Sequence, residues 1–139
     1  MDFSFTPEQE AVRSAVERIC ARFGDDYWLK KDKEGGFPHD FHKAFADDGW
    51  LGICVPQEYG GAGCGVTEAV IMMQTIAASG AGLSGASALH MNIFGLNPVV
   101  VFGTEEQKRR MIERLEDPHK RHKLGVEDFR NIARQSFSE

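Results

Sequence analysis

The strongest constraint on the fold of this chain is a helical repeat of apolar residues near its N-terminus. Val12, Val16 and Ile19 recur at the spacing that places side chains on one face of an α-helix. Thr6 and Gln9 flank Pro7 in a capping-box pattern directly before them, which predicts the start of that helix. No segment alternates polar and apolar residues as a half-buried β-strand does. The sequence therefore predicts an all-α fold, a helical bundle.

Three more helices are predicted in the middle of the chain. The second opens at Pro38 and ends near Gly49, which is placed to adopt the left-handed conformation. A third, apolar nearly all round, covers residues 67–78, and a fourth covers residues 86–94. Residues 25–37 are charged and interrupted by glycines, so they are predicted to form a loop with one helical turn near its aromatic pair.

A last helix begins at a second capping box, residues 104–107. Glu105 and Glu106 each stand four residues before an arginine, which is the favourable order for ion pairs on a helix surface. The character of the chain then changes to a polar, basic stretch that opens with Asp-Pro. We therefore predict a helical domain over residues 1–116 and a tail over residues 117–139 that includes a possible short amphipathic helix.

A glycine-rich segment raises the question of whether the chain binds phosphate. Four glycines lie between Gly60 and Gly65, directly before the third predicted helix. The segment fits neither the Walker pattern nor the dinucleotide pattern. Thr67 is predicted to cap the following helix, and Glu68 places a negative charge in its first turn, where an anion would otherwise bind. The segment is therefore predicted to be a tight structural connection.

Composition narrows the class of protein. The 139 residues suffice for one domain, and the net charge of -5 argues against nucleic-acid binding. The uninterrupted apolar runs are too short to span a bilayer, and the first ten residues show neither a signal peptide nor a transit peptide. Three cysteines without a C-x-x-C pair indicate reduced thiols. We expect a cytoplasmic protein that binds neither membranes nor nucleic acid.

Few residues offer chemistry of their own. The pairs His39–His42 and His119–His122 could share a helix face, but no third ligand is evident, so no metal site is predicted. His90 lies in an apolar helix of small residues, where a lone histidine is more often an interior residue than a catalytic base. No oriented aspartate accompanies the nearby serines as a hydrolase triad requires. No catalytic residue is predicted.

The assembled pattern resembles the N-terminal helical domain of acyl-CoA dehydrogenases. The resemblance rests on the opening FSFTPEQEAVRSAVERIC, on FPHDFHKAFADDGWLGICVPQEYGGAGCG, and on LHMNIFGLNPVVVFGTEEQKRRMIERL. The Tyr-Gly-Gly segment at residues 59–61 and the Gly-Thr-Glu-Glu-Gln-Lys segment at residues 103–108 carry most of it. In that family the glycine loop is a structural connection, and the flavin phosphates lie elsewhere.

The resemblance implies a function for the complete family enzyme. Such an enzyme oxidises an acyl-CoA thioester between its α and β carbons and passes a hydride to FAD. Ser87, His90 and Phe94 match positions that line the acyl cavity, although ordinary helix packing would explain their spacing equally well. A histidine in that wall is unexpected for a plain long fatty chain, so the substrate stays open.

Residues after Leu115 do not resemble the family's flavin-binding β domain or the domain that supplies its catalytic base. The resemblance thus predicts a truncated portion of such an enzyme, inactive as this chain alone and doubtful as a flavin binder. The alternative is a non-catalytic helical module that packs on itself or on a full-length relative. In that alternative, apolar faces left uncovered would drive association, which favours a homo-oligomer.

Overall fold

The computed structural model describes the backbone of residues 4–116 and the side chains of residues 4–110. Within that range every regular element is helical, which confirms the predicted all-α class. The α-helices are α1 (Pro7–Cys20), α2 (Asp25–Glu34), α3 (His39–Asp47), α4 (Val66–Ile76), α5 (Gly82–Ile93), α6 (Asn97–Phe102) and α7 (Glu105–Glu116). Two 3₁₀ turns, Trp50–Gly52 and Gln57–Tyr59, lie between α3 and α4, and a π-helical turn, Ala77–Ala81, joins α4 to α5. The predicted tail, residues 117–139, lies outside the described residues.

Both predicted capping boxes are present. The Gln9 backbone N–H donates to the Thr6 hydroxyl, and the Thr6 N–H donates to the Gln9 side chain at 3.1 Å. The Thr104 and Gln107 pair repeats this arrangement at the start of α7. Gly49 adopts the predicted left-handed conformation with φ 79°. These local signals were therefore sufficient to fix three helix ends.

The hydrophobic core lies where α1, α3, α4 and α5 meet. α1 packs along α4, while α5 packs against α3 and the first 3₁₀ turn. The predicted stripe of α1 supplies Val16 and Ile19 to this core. The largest fully buried side chains are Phe41, Phe45, Ile53, Met72, Ile76, Leu89 and Val16. The short apolar stretch after Gly49 is a buried connection, since Leu51, Ile53 and Val55 are all buried.

The prediction for residues 25–37 is wrong, because most of this stretch forms α2. Aromatic contacts hold this helix in place, and its charged sequence does not indicate them. The Trp28 ring meets the Phe41 ring edge to face with centroids 5.0 Å apart, and Tyr27 meets Phe23 in the same way at 5.0 Å. Edge-to-face pairs of this kind add to the energy of burial. Gly35, with φ 72°, then ends the helix.

The helical stretch from Val66 to Phe102 is long and apolar enough to cross a membrane by length and composition alone. A core helix of a soluble protein can pass the same test, so this finding is weak support for a membrane span. The backbone also turns within the stretch, at Gly80 with φ 92° and at Gly82 with φ 53°. The turn brings α5 back toward α3, so the stretch is not one straight helix.

Candidate functional site

The glycine segment packs against the connection at residues 52–55, and its backbone N–H groups donate hydrogen bonds to the carbonyls of that connection. The Ala62 N–H donates to the Gly52 carbonyl at 3.1 Å, and the Gly63 N–H donates to the Val55 carbonyl at 2.8 Å. Gly61 lies so close to Val55 that an added Cβ would stand 2.1 Å from the Val55 carbonyl oxygen. The glycines therefore allow close approach between two backbones, as a structural connection requires.

The start of α4 is occupied by the protein's own carboxylate. Glu68 accepts hydrogen bonds from the Gly65 N–H at 2.9 Å and from the Gln9 side-chain amide at 3.0 Å. The bond from Gln9 is the main cause that lowers the pKa of Glu68, and backbone N–H groups add to it. Thr67 was predicted as the N-cap, but Gly65 occupies that position and Thr67 lies inside the helix. The predicted negative charge in the first turn is present, and it fills the position of an anion.

The two segments that carry most of the family resemblance are joined by a side-chain cluster. The Tyr59 hydroxyl donates to the Glu105 carboxylate, and Lys108 Nζ donates to the same carboxylate at 3.2 Å. The bond to Glu105 is the main cause that raises the pKa of Tyr59 to about 12. The same bond is the main cause that lowers the pKa of Glu105. Glu105 thus pairs with Lys108, whereas the sequence pattern favoured Arg109.

Two of the three candidate pocket residues, Ser87 and His90, share the outer face of α5, whereas Phe94 follows the helix and packs against the edge of the core. Ser87 and His90 are exposed, and Phe94 is half-buried with its ring centroid 6.4 Å from that of His90. The opposite face, which includes Leu89 and Ile93, enters the core. The interpretation of His90 as an interior residue is therefore wrong in the described part of the chain.

Large apolar side chains are exposed on α5 and at the end of α6. Leu83, near the start of α5, is 85% exposed, and Met91 is 53% exposed. Phe102, at the end of α6, is also 85% exposed. Large apolar side chains grouped at a surface are typical of a face that another polypeptide or ligand covers.

The histidine pair of α3 does not converge on a metal site. His42 is buried, and its Nε2 lies 3.0 Å from the side-chain nitrogen of Asn92 on α5. Over residues 4–110 no group of three side chains from histidine, cysteine, aspartate and glutamate is placed to hold a metal ion. The second pair, His119 and His122, lies outside the described residues.

A groove of about 650 Å³, which was not predicted from the sequence, lies between α2 and the turn that joins α4 to α5. Trp28, Leu29 and Pro38 supply its apolar wall, and Asp25 and Lys31 supply charges. The groove could not be predicted while residues 25–37 were expected to form a loop, because one of its walls exists only when α2 is helical. Charges of both signs at its rim do not define one class of ligand.

Over the described residues, the chain is a helical domain whose glycine segment and α4 start offer no free donors to a phosphate. The family described as "Acyl-CoA dehydrogenase, N-terminal domain" matches residues 6–117. The chain therefore belongs to the acyl-CoA dehydrogenase family through its N-terminal helical domain.

Curated relatives agree with this assignment. The chain is 32% identical over 122 residues to the acyl-CoA dehydrogenase FadE12 of Mycobacterium tuberculosis, which covers 84% of this chain and 30% of that protein. It is 33% identical to the probable acyl-CoA dehydrogenase YngJ of Bacillus subtilis, covering 78% of this chain and 28% of that protein. It is 31% identical to an acryloyl-CoA reductase (NADH) of Anaerotignum propionicum, covering 83% of this chain and 29% of that protein. The chain thus spans less than a third of the length of these relatives, and no solved structure matches it.

Proposed function

We propose that this chain serves as the N-terminal helical domain of an FAD-dependent acyl-CoA dehydrogenase, an enzyme that oxidises an acyl-CoA thioester between its α and β carbons. The observation that carries the proposal is the outer face of α5. Ser87 and His90 lie there beside the exposed side chains of Leu83 and Met91, Phe94 follows at the end of the helix, and the described residues leave this face uncovered. Such a face suits one wall of an acyl pocket whose other walls come from further domains.

The described residues do not fit the flavin itself. The glycine-segment donors named above are bonded to the protein's own carbonyls, and the start of α4 faces the Glu68 carboxylate. A diphosphate needs free N–H groups and a positive field, and neither is available there. The proposal therefore assigns flavin binding and catalysis to polypeptide beyond the described residues, and it assigns no catalytic residue to this chain.

A spectrum of the purified chain tests the flavin part of the proposal. We expect no stoichiometric flavin and no dehydrogenase turnover with an artificial electron acceptor. A flavin absorption band that copurifies and survives gel filtration would contradict the proposal and favour a complete site formed by assembly.

A chimera tests the assignment of the pocket. Residues 6–116 of this chain would replace the matching segment of FadE12, and activity would be compared between butyryl-CoA and palmitoyl-CoA. We expect flavin binding to persist and His90→Leu to raise the preference for the longer acyl chain, since it removes a polar group from the wall. His39→Leu, the same change on α3, serves as the control and should leave the preference unchanged. Equal effects of both substitutions would contradict the role of His90.

The alternative is a helical module that self-associates in the cytoplasm without catalysis. The exposed side chains of Leu83, Met91 and Phe102 favour it, because uncovered apolar area drives association. Light scattering coupled to gel filtration separates the two proposals. A dimer that becomes a monomer on Phe102→Ser would support the module, and a strict monomer at high concentration would count against it.

A further inference from the structure

Two of the three cysteines are brought together by the packing of the glycine segment. The Cys64 N–H donates to the Ile53 carbonyl at 2.9 Å, and the Gly63 N–H donates to the Val55 carbonyl at 2.8 Å. The first of these bonds joins the Cys64 amide to the carbonyl of the residue directly before Cys54, so the two cysteines lie side by side. Standard backbone dimensions across this bond limit the separation of their Cα atoms to about 7 Å. A disulfide requires a Cα separation of about 4.4–6.8 Å.

Both thiols are directed at the glycine segment. Cys54 Sγ approaches the Gly65 carbonyl oxygen at 3.6 Å, and Cys64 Sγ lies 4.0 Å from the Ala62 carbonyl oxygen. Both cysteines are half-buried and pack against the edge of the core, and both are free thiols. A negative charge on Cys64 contributes to raising the pKa of Cys54, after the larger effect of burial. Cys20, by contrast, is buried in α1.

We propose that Cys54 and Cys64 are a redox modification site. The two thiols form a reversible intramolecular disulfide by exchange with a small-molecule disulfide such as oxidised glutathione. One thiolate attacks a sulfur of oxidised glutathione, and the first glutathione leaves as a thiolate. The second cysteine thiolate then attacks the protein-bound sulfur, the intramolecular S–S bond forms, and the second glutathione leaves. Two protein thiols are oxidised, one disulfide is reduced to two glutathione molecules, and the two protons pass to the released thiolates.

The bond would fasten the glycine segment to the connection before it. That segment leads directly into α4 on one side and follows the Tyr59 cluster on the other. Burial is the main cause that raises the pKa of both thiols, so the thiolate fraction is small at neutral pH. The site therefore reacts slowly and responds to sustained oxidation rather than to a brief pulse.

Intact mass and peptide mapping test the site. The full chain is incubated with oxidised glutathione under native conditions, alkylated, and digested without reductant. We expect a loss of two hydrogens in the intact mass and a linked peptide that joins Cys54 to Cys64. Cys20→Ser should retain that bridge, whereas Cys54→Ser and Cys64→Ser should each abolish it and leave a glutathione adduct on the remaining partner.

A second measurement does not depend on the variants. The wild-type chain should show a higher Tm after oxidation than before, and dithiothreitol should restore the lower value, because a disulfide restricts the unfolded chain. Glutathione adducts on both cysteines without a bridge would overturn the proposal. So would a bridge that involves Cys20, no reaction after prolonged incubation, or a Tm that oxidation leaves unchanged or lowers.

Discussion

Substitution of Gly61 by alanine should destabilise the chain more than the change of a single methyl group suggests. The new Cβ would lie 2.1 Å from the Val55 carbonyl oxygen and 2.4 Å from the Val55 Cβ, both far inside van der Waals contact. Since the Val55 oxygen belongs to the backbone, the clash cannot be relieved by a rotation of a side chain. The glycine segment must therefore move away from residues 52–55.

The cost follows from the hydrogen bonds that this movement breaks. The N–H groups of Ala62, Gly63 and Cys64 donate to backbone carbonyls across the gap at 3.1, 2.8 and 2.9 Å. At a net value of about 0.5–1.5 kcal/mol for each bond, the loss of all three amounts to about 1.5–4.5 kcal/mol. That is a large fraction of the roughly 5–15 kcal/mol that stabilises a typical domain.

Urea unfolding followed by circular dichroism measures this loss as a lower midpoint for Gly61→Ala. Gly52→Ala is the matched control, because its added Cβ would lie 3.6 Å from the Gly61 Cα, an ordinary contact. We expect the control to change the free energy of unfolding by no more than about 0.5 kcal/mol. The reasoning is refuted if Gly61→Ala unfolds at the wild-type urea concentration, or if the control loses as much stability.

Three further predictions concern the caps, the core and the Tyr59 cluster. Thr6→Ala removes the acceptor of the first capping box and should cost about 0.5–2 kcal/mol in urea unfolding. Leu89→Ala empties a fully buried site and should cost about 2–5 kcal/mol, whereas Leu83→Ala, at an exposed position on the same helix, should cost no more than about 0.5 kcal/mol. Tyr59→Phe should lower the Tm only where Tyr59 is protonated and Glu105 is ionised. The stabilisation from Tyr59 is complete below its ordinary pKa of 10.0 and is lost as the pH rises toward about 12. The stabilisation from Glu105 is complete above its ordinary pKa of 4.5 and is lost as the pH falls below that value. A Tm difference that stays constant from acid to strong alkali would contradict this linkage.

The features that the sequence predicted well are those that depend on near neighbours in the chain. The capping boxes at Thr6 and Thr104 and the left-handed turn at Gly49 each involve residues at most a few positions apart. The failed prediction for residues 25–37, by contrast, depended on a contact between distant residues. α2 forms because Trp28 packs on Phe41 of another helix, and a charged sequence with few apolar residues does not reveal that contact.

The face of α5 that enters the core could not be predicted from the sequence either. The helix is apolar with small residues on every side, so periodicity could not say which face enters the core. His90 was therefore predicted to be an interior residue, yet it lies on the exposed side. The assignment of Ser87, His90 and Phe94 to an acyl pocket stays a prediction, because the remaining walls would come from polypeptide beyond the described residues.

The cluster around Tyr59 explains why two separate motifs carry the family assignment better together than either does alone. Tyr59 ends the second 3₁₀ turn, and Glu105 begins α7, so the bond between them fixes how the last described helix sits on the glycine segment. Because that segment also packs on residues 52–55 and leads into α4, the position of α7 is coupled to the core through backbone contacts. A change in either motif should therefore disturb the other. The double substitution Tyr59→Phe and Glu105→Gln should accordingly lower the Tm by less than the sum of the two single substitutions.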